Sequence, residues 1–558
     1  MTATVTPGCN RLLHSWVMSN ANTLVRDWAY RLKVFAQIGL LRPHAPHRLL
    51  GAGWHLAKWG VGFPAAVKSA AARYPEQLAI IDDAGELTWS QLRDQINQLT
   101  RVLDARGVGE GDSVGVLARN HRYLVMTMVA TMQLGARVLL LNTMASASQV
   151  VELCQREDAA LMILDEEFLP RAESIDPAKM MLAWRDDAGT RIGTRMPPAI
   201  EAETGAYPPT ALPRPKRHGN VVIFTSGTTG TPRGARRDEP RGLDPLVTYF
   251  GAIPYRGNPT VVLAAPLFHS WGLLNFGFGL STAPTMILRR RFNPEQVLRD
   301  IDRYRAEVLV VVPLMMQRLV EADADAIAEC DVSSLRITAS SGSALAGELA
   351  TSFMDTFTDS VYNFYGATET GWVTIANPAD LRAAPNTAGR PPWRTTVRIL
   401  DGDGKPVPAG RTGTIHVGNE MMFGGYTDGE SKTFVGGLMN TGDMGYFDAE
   451  GRLFVSGRDD DMVISGGENV FPGELEDVLT AHPDIADVVV IGVDDEQWGQ
   501  SLAAWVVPRA GTELSATDVI EYAKARVARF AVPSRVAMMD ELPRNPTGKV
   551  MRRELPAI

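Results

Sequence analysis

A run of hydroxyl side chains interrupted by glycine, FTSGTTGTPRG at positions 224–234, is the part of this chain whose chemistry is most legible. Thr225, Ser226, Thr228, Thr229, Thr231 and Arg233 are donors, spaced by Gly227, Gly230 and Gly234. Hydroxyls, backbone N–H groups bared by glycine and one guanidinium suit the oxygens of a polyphosphate. The apolar run 221–224 just before them predicts a buried strand that delivers this loop to a sheet edge. The segment does not fit the G-x-x-x-x-G-K-[ST] phosphate loop, because no Gly-Lys-Ser/Thr closes it. A Ser/Thr/Gly surface turn has the same composition, so the loop alone does not decide the matter.

Four more clusters follow: NFYGATET (363–370), NTGD (440–443), GRDDDMVISGGENVFPGELE (457–476) and PRNPTGK (543–549). Glu369 beside Thr368 is the metal candidate, since Mg²⁺ takes few protein carboxylates and fills its shell with phosphate and water oxygens. Tyr365 offers a flat apolar face to a base, and Gly366 permits close approach. An ionised Asp443 has acceptor sites for both hydroxyls of a ribose, although an Asx-turn after Gly442 is the bland alternative. Pro543, Pro546 and Gly548 give an ordered loop carrying Lys549, whose compact ammonium can bridge two approaching anions. Arg552 and Arg553 nearby keep a merely solvated lysine open.

In this order, the five clusters resemble the adenylate-forming superfamily: acyl-CoA synthetases, peptide-synthetase adenylation domains and luciferases. The likeness runs from about Phe63 to the C-terminus and is greatest to bacterial fatty acyl-CoA synthetases. It implies that ATP and Mg²⁺ activate a carboxylate as acyl-AMP with release of pyrophosphate. Coenzyme A then takes the acyl group on its thiol. The resemblance also implies roles for single residues. Arg233 stands where the family has lysine, keeping the charge with a different geometry. Tyr365 and the SGSAL segment, with Gly342 and Ser343, border the adenine, and Ala344 replaces the usual proline. Asn363 hydrogen-bonds the adenine edge. Arg458 contacts the ribose or phosphates, and Asp460 is the hinge between a large and a small domain. Gly466 and Gly467 line the passage for the pantetheine arm. His269, in PLFHSWG, gates the acyl site; it is not a general base, since a carboxylate nucleophile has no proton to lose.

The elements that must carry these residues read as alternating strands and helices. Apolar runs 78–81, 114–117, 138–141 and 160–164 predict strands, and 64–72, 89–106, 123–134 and 146–156 the helices between them. Strands at 260–264 and 308–312 continue the alternation, with an irregular connection at 208–215. After Ala388 the chain turns β-rich, and residues 461–558 read as a last compact module with strands at 488–493 and 503–508. The resemblance implies an α/β protein. Its large N-terminal domain has two doubly wound α/β subdomains and a distorted β-barrel, followed by a small mobile α+β C-terminal domain. The expected boundaries are 1–62 for an extension, 63–459 and 460–558.

The chain has 558 residues, 45% of them hydrophobic and 21% charged, ordinary values for a globular protein. The net charge of −9 argues against general nucleic-acid binding. Cys9, Cys154 and Cys330 match no metal spacing and imply a reducing compartment. No secretory signal is visible at the start, so a cytoplasmic protein is expected. The charge-free stretch 261–288 has the length of a membrane span, but its prolines, glycines and His269 favour a buried strand, turn and helix.

The first seventy-odd residues stand apart. Arg11, Arg26, Arg31, Lys33, Arg42, Arg48, Lys58, Lys68 and Arg73 face one acid, Asp27. Leu24, Trp28, Leu32, Phe35 and Ile38 fall on one helical stripe. Such a helix either packs on its own catalytic domain, the favoured reading, or lies peripherally on the anionic inner face of a membrane.

The expected activity is a fatty acid–CoA ligase of medium or long chain. Its apolar acyl tunnel would run through the charge-free stretch with Gly277 and Gly279, joined by Val312, Leu314 and Met315. No buried charge is at hand for the ammonium of an amino acid. The alternatives are an aryl-CoA ligase, a fatty acyl-AMP ligase loading a carrier protein, and a non-catalytic nucleotide-binding regulator. Chain length and oligomeric state are left open.

Overall fold

Short apolar runs between residues 78 and 365 become the inner strands of two mostly parallel sheets, where burial on both faces leaves no room for alternation. The computed structural model describes residues 25–186, 196–225, 233–235, 242–425, 432–459, 461–465, 468–495, 499–545 and 548–558. One sheet has six strands, in the order Met180–Leu182, Ala159–Leu164, Ser113–Leu117, Arg137–Leu140, Val221–Thr225 and Arg233–Ala235. Its only antiparallel pair is the last, which sets Thr225 opposite Arg233. The other has eight, in the order Thr374–Ala376, Val361–Tyr365, Ile337–Ser340, Val308–Val311, Thr260–Leu263, Thr285–Ile287, Leu78–Asp82 and Gly85–Thr88. Only its two edge pairs are antiparallel.

Helices between the strands begin where the sequence supplies a cap. Thr88 with Gln91 and Ser146 with Gln149 form reciprocal capping boxes for Trp89–Ala105 and Ala147–Arg156. Asn293 caps Pro294–Tyr304, with proline in its first turn. Trp89, Leu92, Ile96, Leu99 and Leu103 are the buried face of the first of these helices, a spacing of three and four residues. The β-rich part is a five-stranded antiparallel sheet built on Thr396–Leu400, Gly413–Gly418 and Leu438–Phe447, with Phe434–Val435 and Leu453–Arg458 pairing the last. A second five-stranded sheet near the C-terminus centres on the hairpin Ile485–Asp495 and Gly499–Pro508. The stretch 261–288 becomes strand, turn, helix Ser270–Gly279 and strand, as its glycines and prolines imply. No helix among the described residues is long and apolar enough to cross a membrane.

Of three consecutive residues after strand Ser113–Leu117, the outer two tie the two parallel sheets together and the middle one braces the six-stranded sheet itself. Asn120 Nδ2 donates to Leu263 O and Ala265 O at 3.2 and 3.0 Å, and Leu267 N donates to Asn120 Oδ1 at 2.9 Å. His121 Nε2 lies 2.8 Å from Asp165 Oδ1, both side chains fully buried. Arg122 meets Asp82, on the eight-stranded sheet, through several contacts of 2.5 to 3.0 Å.

The N-terminal stripe is turned differently from the expectation. Helical residues 25–37 pack on the large domain through Tyr30, Val34 and Gln37, with Ile38 just beyond, while Trp28 and Leu32 are exposed. Polar partners explain the rotation: Arg31 makes a bidentate pair with Asp244 at 2.8 and 2.9 Å, and Gln37 Nε2 donates to Phe250 O and Tyr255 O. Leu24 lies outside the described residues.

Removing one partner of the Asp82–Arg122 pair strands a buried charge, so Arg122→Met is expected to lose about 3–5 kcal/mol of stability. Asp82→Leu combined with Arg122→Met should recover much of it. Urea melts of the two variants check this, and equal losses would refute the pairing argument.

Candidate functional site

The loops that follow four neighbouring strands of the eight-stranded sheet gather the sequence-predicted residues. Ile337–Ser340 runs into Ser341, Gly342 and Ser343, with Gly342 at a φ of 99° that favours glycine. Val361–Tyr365 lies beside it, and Ser340 pairs with Asn363. Gly342, Ser343, buried Asn363 and Tyr365 therefore share one edge of the sheet. Gly366 is required where it stands, because a Cβ there would come within 2.1 Å of Gly371 O.

Tyr365 reaches across to the antiparallel sheet. Its hydroxyl donates to Asp443 Oδ2 at 2.5 Å. Burial, with the Asp443 carboxylate beside it, holds the phenol far above its ordinary range, so the donor keeps its proton. Arg458 is the register partner of Asp443 on the next strand, with a guanidinium nitrogen 3.6 Å from Asp443 Oδ1. Gly442 (φ 83°) lets that guanidinium lie close: a Cβ would be 3.2 Å from it. Thr441 Oγ1 accepts from Asp443 N at 3.0 Å and Asn440 Oδ1 from Gly442 N at 2.7 Å, which fixes the turn. The three residues expected around the nucleoside thus meet, and Asp443 has both oxygens engaged.

Thr368 and Glu369 lie partly buried on the loop after Tyr365. Thr368 Oγ1 donates to Ser270 Oγ at 3.3 Å, placing this loop next to the PLFHSWG segment. Phe423 N donates to Glu369 O, and Asn419 Nδ2 donates to Thr370 O and Trp372 O at 2.9 and 2.7 Å. Ser270 and Asn419 escaped the sequence reading; nothing local marks Asn419 among the polar residues of a loop. The described residues hold no group of three His, Cys, Asp or Glu that could bind a metal by itself. One carboxylate, Glu369, still suits a Mg²⁺ whose other ligands are phosphate and water.

His269 precedes helix Ser270–Gly279, its ring 4.6 Å from that of Phe268. Its Nε2 is buried without a hydrogen-bond partner, and burial lowers the pKa to about 4. The imidazole is neutral at physiological pH. The segment expected to line an acyl tunnel is closely packed at two of its glycines and open at a third, Gly279, where a Cβ would meet nothing within 4 Å. A Cβ on Gly277 would strike the Phe63 ring at 2.8 Å, and one on Gly272 would strike Pro266 O at 2.2 Å. Trp271 donates to Val311 O and lies 4.9 Å from Phe364. Val312 and Met315 belong to the core, and Leu314 faces Gly548.

Lys549 sits at the exposed end of a tight turn in which its N–H donates to Asn545 Oδ1, and Asn545 N to Lys549 O, each at 2.9 Å. Gly548 has φ 79°, and a Cβ there would lie 2.9 Å from Leu314 Cβ. The turn thus abuts the start of helix Pro313–Val320, directly after strand Val308–Val311. Arg544 anchors it to Asp487 at 2.6 Å and also meets Gly548 O. Arg552, one of the neighbours that left a merely solvated Lys549 open, is paired with Asp461 at 2.6 Å. Ser226, Gly227, Thr228, Thr229, Gly230, Asp460, Gly466 and Gly467 lie outside the described residues. For Thr225 and Arg233 the backbone pairing alone is described.

Because His269 titrates near 6.5 when unfolded but about 4 when folded, unfolding takes up a proton between those values. Its contribution therefore weakens stability as pH falls, by roughly 2 kcal/mol from about pH 7 to about pH 5. His269→Asn should flatten that part of the profile in urea melts; an unchanged slope would rule the assignment out.

Comparison with known proteins bears directly on this arrangement. A family model described as AMP-binding enzyme matches residues 67–427, and its C-terminal domain model matches residues 474–549. An indoleacetate–CoA ligase of Aromatoleum aromaticum is 30% identical over 503 residues, 87% of this chain and 94% of the relative. A fatty acid–acyl-carrier-protein ligase of Streptomyces coeruleorubidus is 28% identical, covering 86% and 93%. The solved o-succinylbenzoate CoA synthetase of Bacillus subtilis, in complex with its acyl-adenylate intermediate, superposes with a TM-score of 0.75 at 25% identity, covering 88% and 98%. With the family model spanning most of the chain, the protein belongs to the AMP-binding enzyme family, within the adenylate-forming superfamily.

Proposed function

We propose that this protein is an AMP-forming acid–thiol ligase that joins a compact aromatic or arylalkanoic acid to coenzyme A. The observation that carries the reaction is the seating of the Lys549 turn against Leu314, at the same end of the eight-stranded sheet as Tyr365, whose hydroxyl meets Asp443 beside Arg458. Asp443 and Arg458 would hold the ribose, with Tyr365, Asn363, Gly342 and Ser343 around the base. The hydroxyls of the 225–230 loop and Arg233 would grip the triphosphate. Glu369 would supply the protein ligand to Mg²⁺, which neutralises phosphate charge when bound.

The acid carboxylate attacks the α-phosphorus, its P–O bond forms, and pyrophosphate leaves. Lys549 would bridge the two anions as they approach, a cation placed where charge repulsion is greatest. In the second step the coenzyme A sulfur attacks the acyl carbonyl carbon, the C–S bond forms, and AMP leaves. Asp460 would be the hinge that exchanges Lys549 for the Gly466–Gly467 segment between the steps. The close packing of Phe63, Trp271 and Phe364 around the charge-free helix favours a short, flat acid. The indoleacetate and o-succinylbenzoate ligases support that class. A fatty acid is the second reading, favoured by the likeness to the Streptomyces fatty acid ligase.

Lys549→Ala is expected to slow acid-dependent pyrophosphate release by at least about a hundredfold. Thioester formation from supplied acyl-AMP should be far less affected, and equal loss in both steps would remove the lysine from this role. AMP release with indole-3-acetate, benzoate, octanoate and palmitate, each with and without coenzyme A, ranks the acids. Coenzyme A-dependent turnover of the aromatic acids above both fatty acids is expected. Palmitate in first place would restore the fatty acid reading, and pyrophosphate release indifferent to coenzyme A would point to carrier loading.

A further inference from the structure

Helix Pro46–Trp59 is inside out. The side it turns to the protein carries Ala52 and Trp59, with Gly51, Arg48 and His55 half-buried. Its exposed side carries Leu49, Gly53 and Leu56 on one stripe and Leu50, Trp54 and Ala57 on the next, with no charge among them. Leu50 is 74% exposed and Trp54 56%. Most of the exposed large apolar side chains among the described residues lie between positions 25 and 61. The family models begin only at residue 67, so this surface is not part of the fold they describe.

Cations flank the apolar face at the C-terminal end of the helix. Lys58 lies over the Trp54 ring at 4.5 Å. At the C-terminal end of the helix, Gly60 abuts the His218 ring. A shallow cleft there is lined by Trp59, Gly62, Pro64, Met132, Arg214 and His218. The linker that reaches this point reads ArgProLysArgHis at 214–218, and Arg214, Lys216, Arg217 and His218 are all exposed. Glu110 reaches the linker, accepting from Lys216 N and lying 4.0 Å from Arg217, which stays 84% exposed. Neither 42–62 nor 205–220 contains an acidic residue, in a chain whose net charge is −9.

We propose that the outward face of helix Pro46–Trp59 and the basic linker at 214–218 dock this enzyme on an anionic phospholipid surface. The leucines and Trp54 would enter the boundary between headgroups and acyl chains while the arginines and lysines meet lipid phosphates. Charge complementarity selects this occupant: the apolar face is flanked at its C-terminal end by Lys58, Arg214, Lys216 and Arg217, with no acid in 42–62. The inference is independent of which acid the enzyme activates.

The test is sedimentation of the full chain with vesicles of phosphatidylcholine containing about one third phosphatidylglycerol, beside phosphatidylcholine alone. Binding to the anionic vesicles that weakens with salt is expected. Leu50→Glu with Trp54→Glu, and separately Arg214→Ala with Lys216→Ala and Arg217→Ala, should each weaken it by about tenfold or more. Acid-dependent AMP release and the thermal melt report that each variant is folded. If the glutamate pair unfolds the chain, Leu50→Ser with Trp54→Ser takes its place. Absence of vesicle binding, or equal binding by the apolar-face variants, overturns the proposal. So does a concentration-dependent dimer that these substitutions dissolve without any vesicle binding, which would give the face to a second copy.

Discussion

The joint at Asn120, His121 and Arg122 sets where everything else in the large domain can be. Successive side chains there reach three different places: Asn120 to the strand end at Leu263 and Ala265, His121 to Asp165, and Arg122 to Asp82. The six-stranded sheet carries the hairpin with Thr225 and Arg233, while the eight-stranded sheet carries the loops after Ser340 and Tyr365. Under the proposed function, a triphosphate gripped by one and a nucleoside held by the other must be a fixed distance apart, and the joint helps to fix it, beside the Arg290 pairs to Glu167 at 3.0 Å and Asp186 at 2.6 Å. An apolar pair in place of Asp82 and Arg122 would fold about as stably. What the ions add is direction, since their hydrogen bonds are satisfied in one arrangement of the sheets. The same joint reaches the acyl side: Asn120 Oδ1 accepts from Leu267 N, two residues before His269 and three before the Ser270 that holds Thr368.

The inner strands were legible because burial on both faces writes them as plain apolar runs, as in 114–117 and 308–311. The residues proposed for the nucleoside were legible because Asp443, Arg458 and Tyr365 each sit in a short motif whose chemistry is narrow. The joint was not, since Asn, His and Arg before a helix look like any polar turn until their distant partners are known. Hydrophobic spacing also misplaced the N-terminal helix. Trp28 and Leu32 form the better apolar stripe, yet Arg31 and Gln37 lie inward because Asp244 and two backbone carbonyls satisfy them. Glycine was ambiguous in the acyl segment for a related reason. Gly277 marks a place without a side chain, and only the structure shows that Phe63, more than two hundred positions earlier, fills it.

The proposed role of the Lys549 turn poses an opposite demand to the joint, for such a turn must be rigid in itself and loosely held by its target. Rigidity comes from within its own module, through the reciprocal bonds between Asn545 and Lys549 and the bidentate Arg544–Asp487 pair. Among the described residues, polar contacts to helix Pro313–Val320 and its end are lighter. Gln317 donates to Ala486 O at 2.9 Å, and Arg509 lies 3.6 Å from a Glu321 that is itself largely exposed. An exposed ion pair of that kind is worth about 0–1 kcal/mol. Gly548 against Leu314 adds shape without a charge to strand. If Lys549 serves one half-reaction and must clear the site for the next, as the proposed function requires, this is the seating it needs. Strong contacts would trap it after pyrophosphate leaves, whereas a small apolar contact and one neutral hydrogen bond can be made and broken in every cycle.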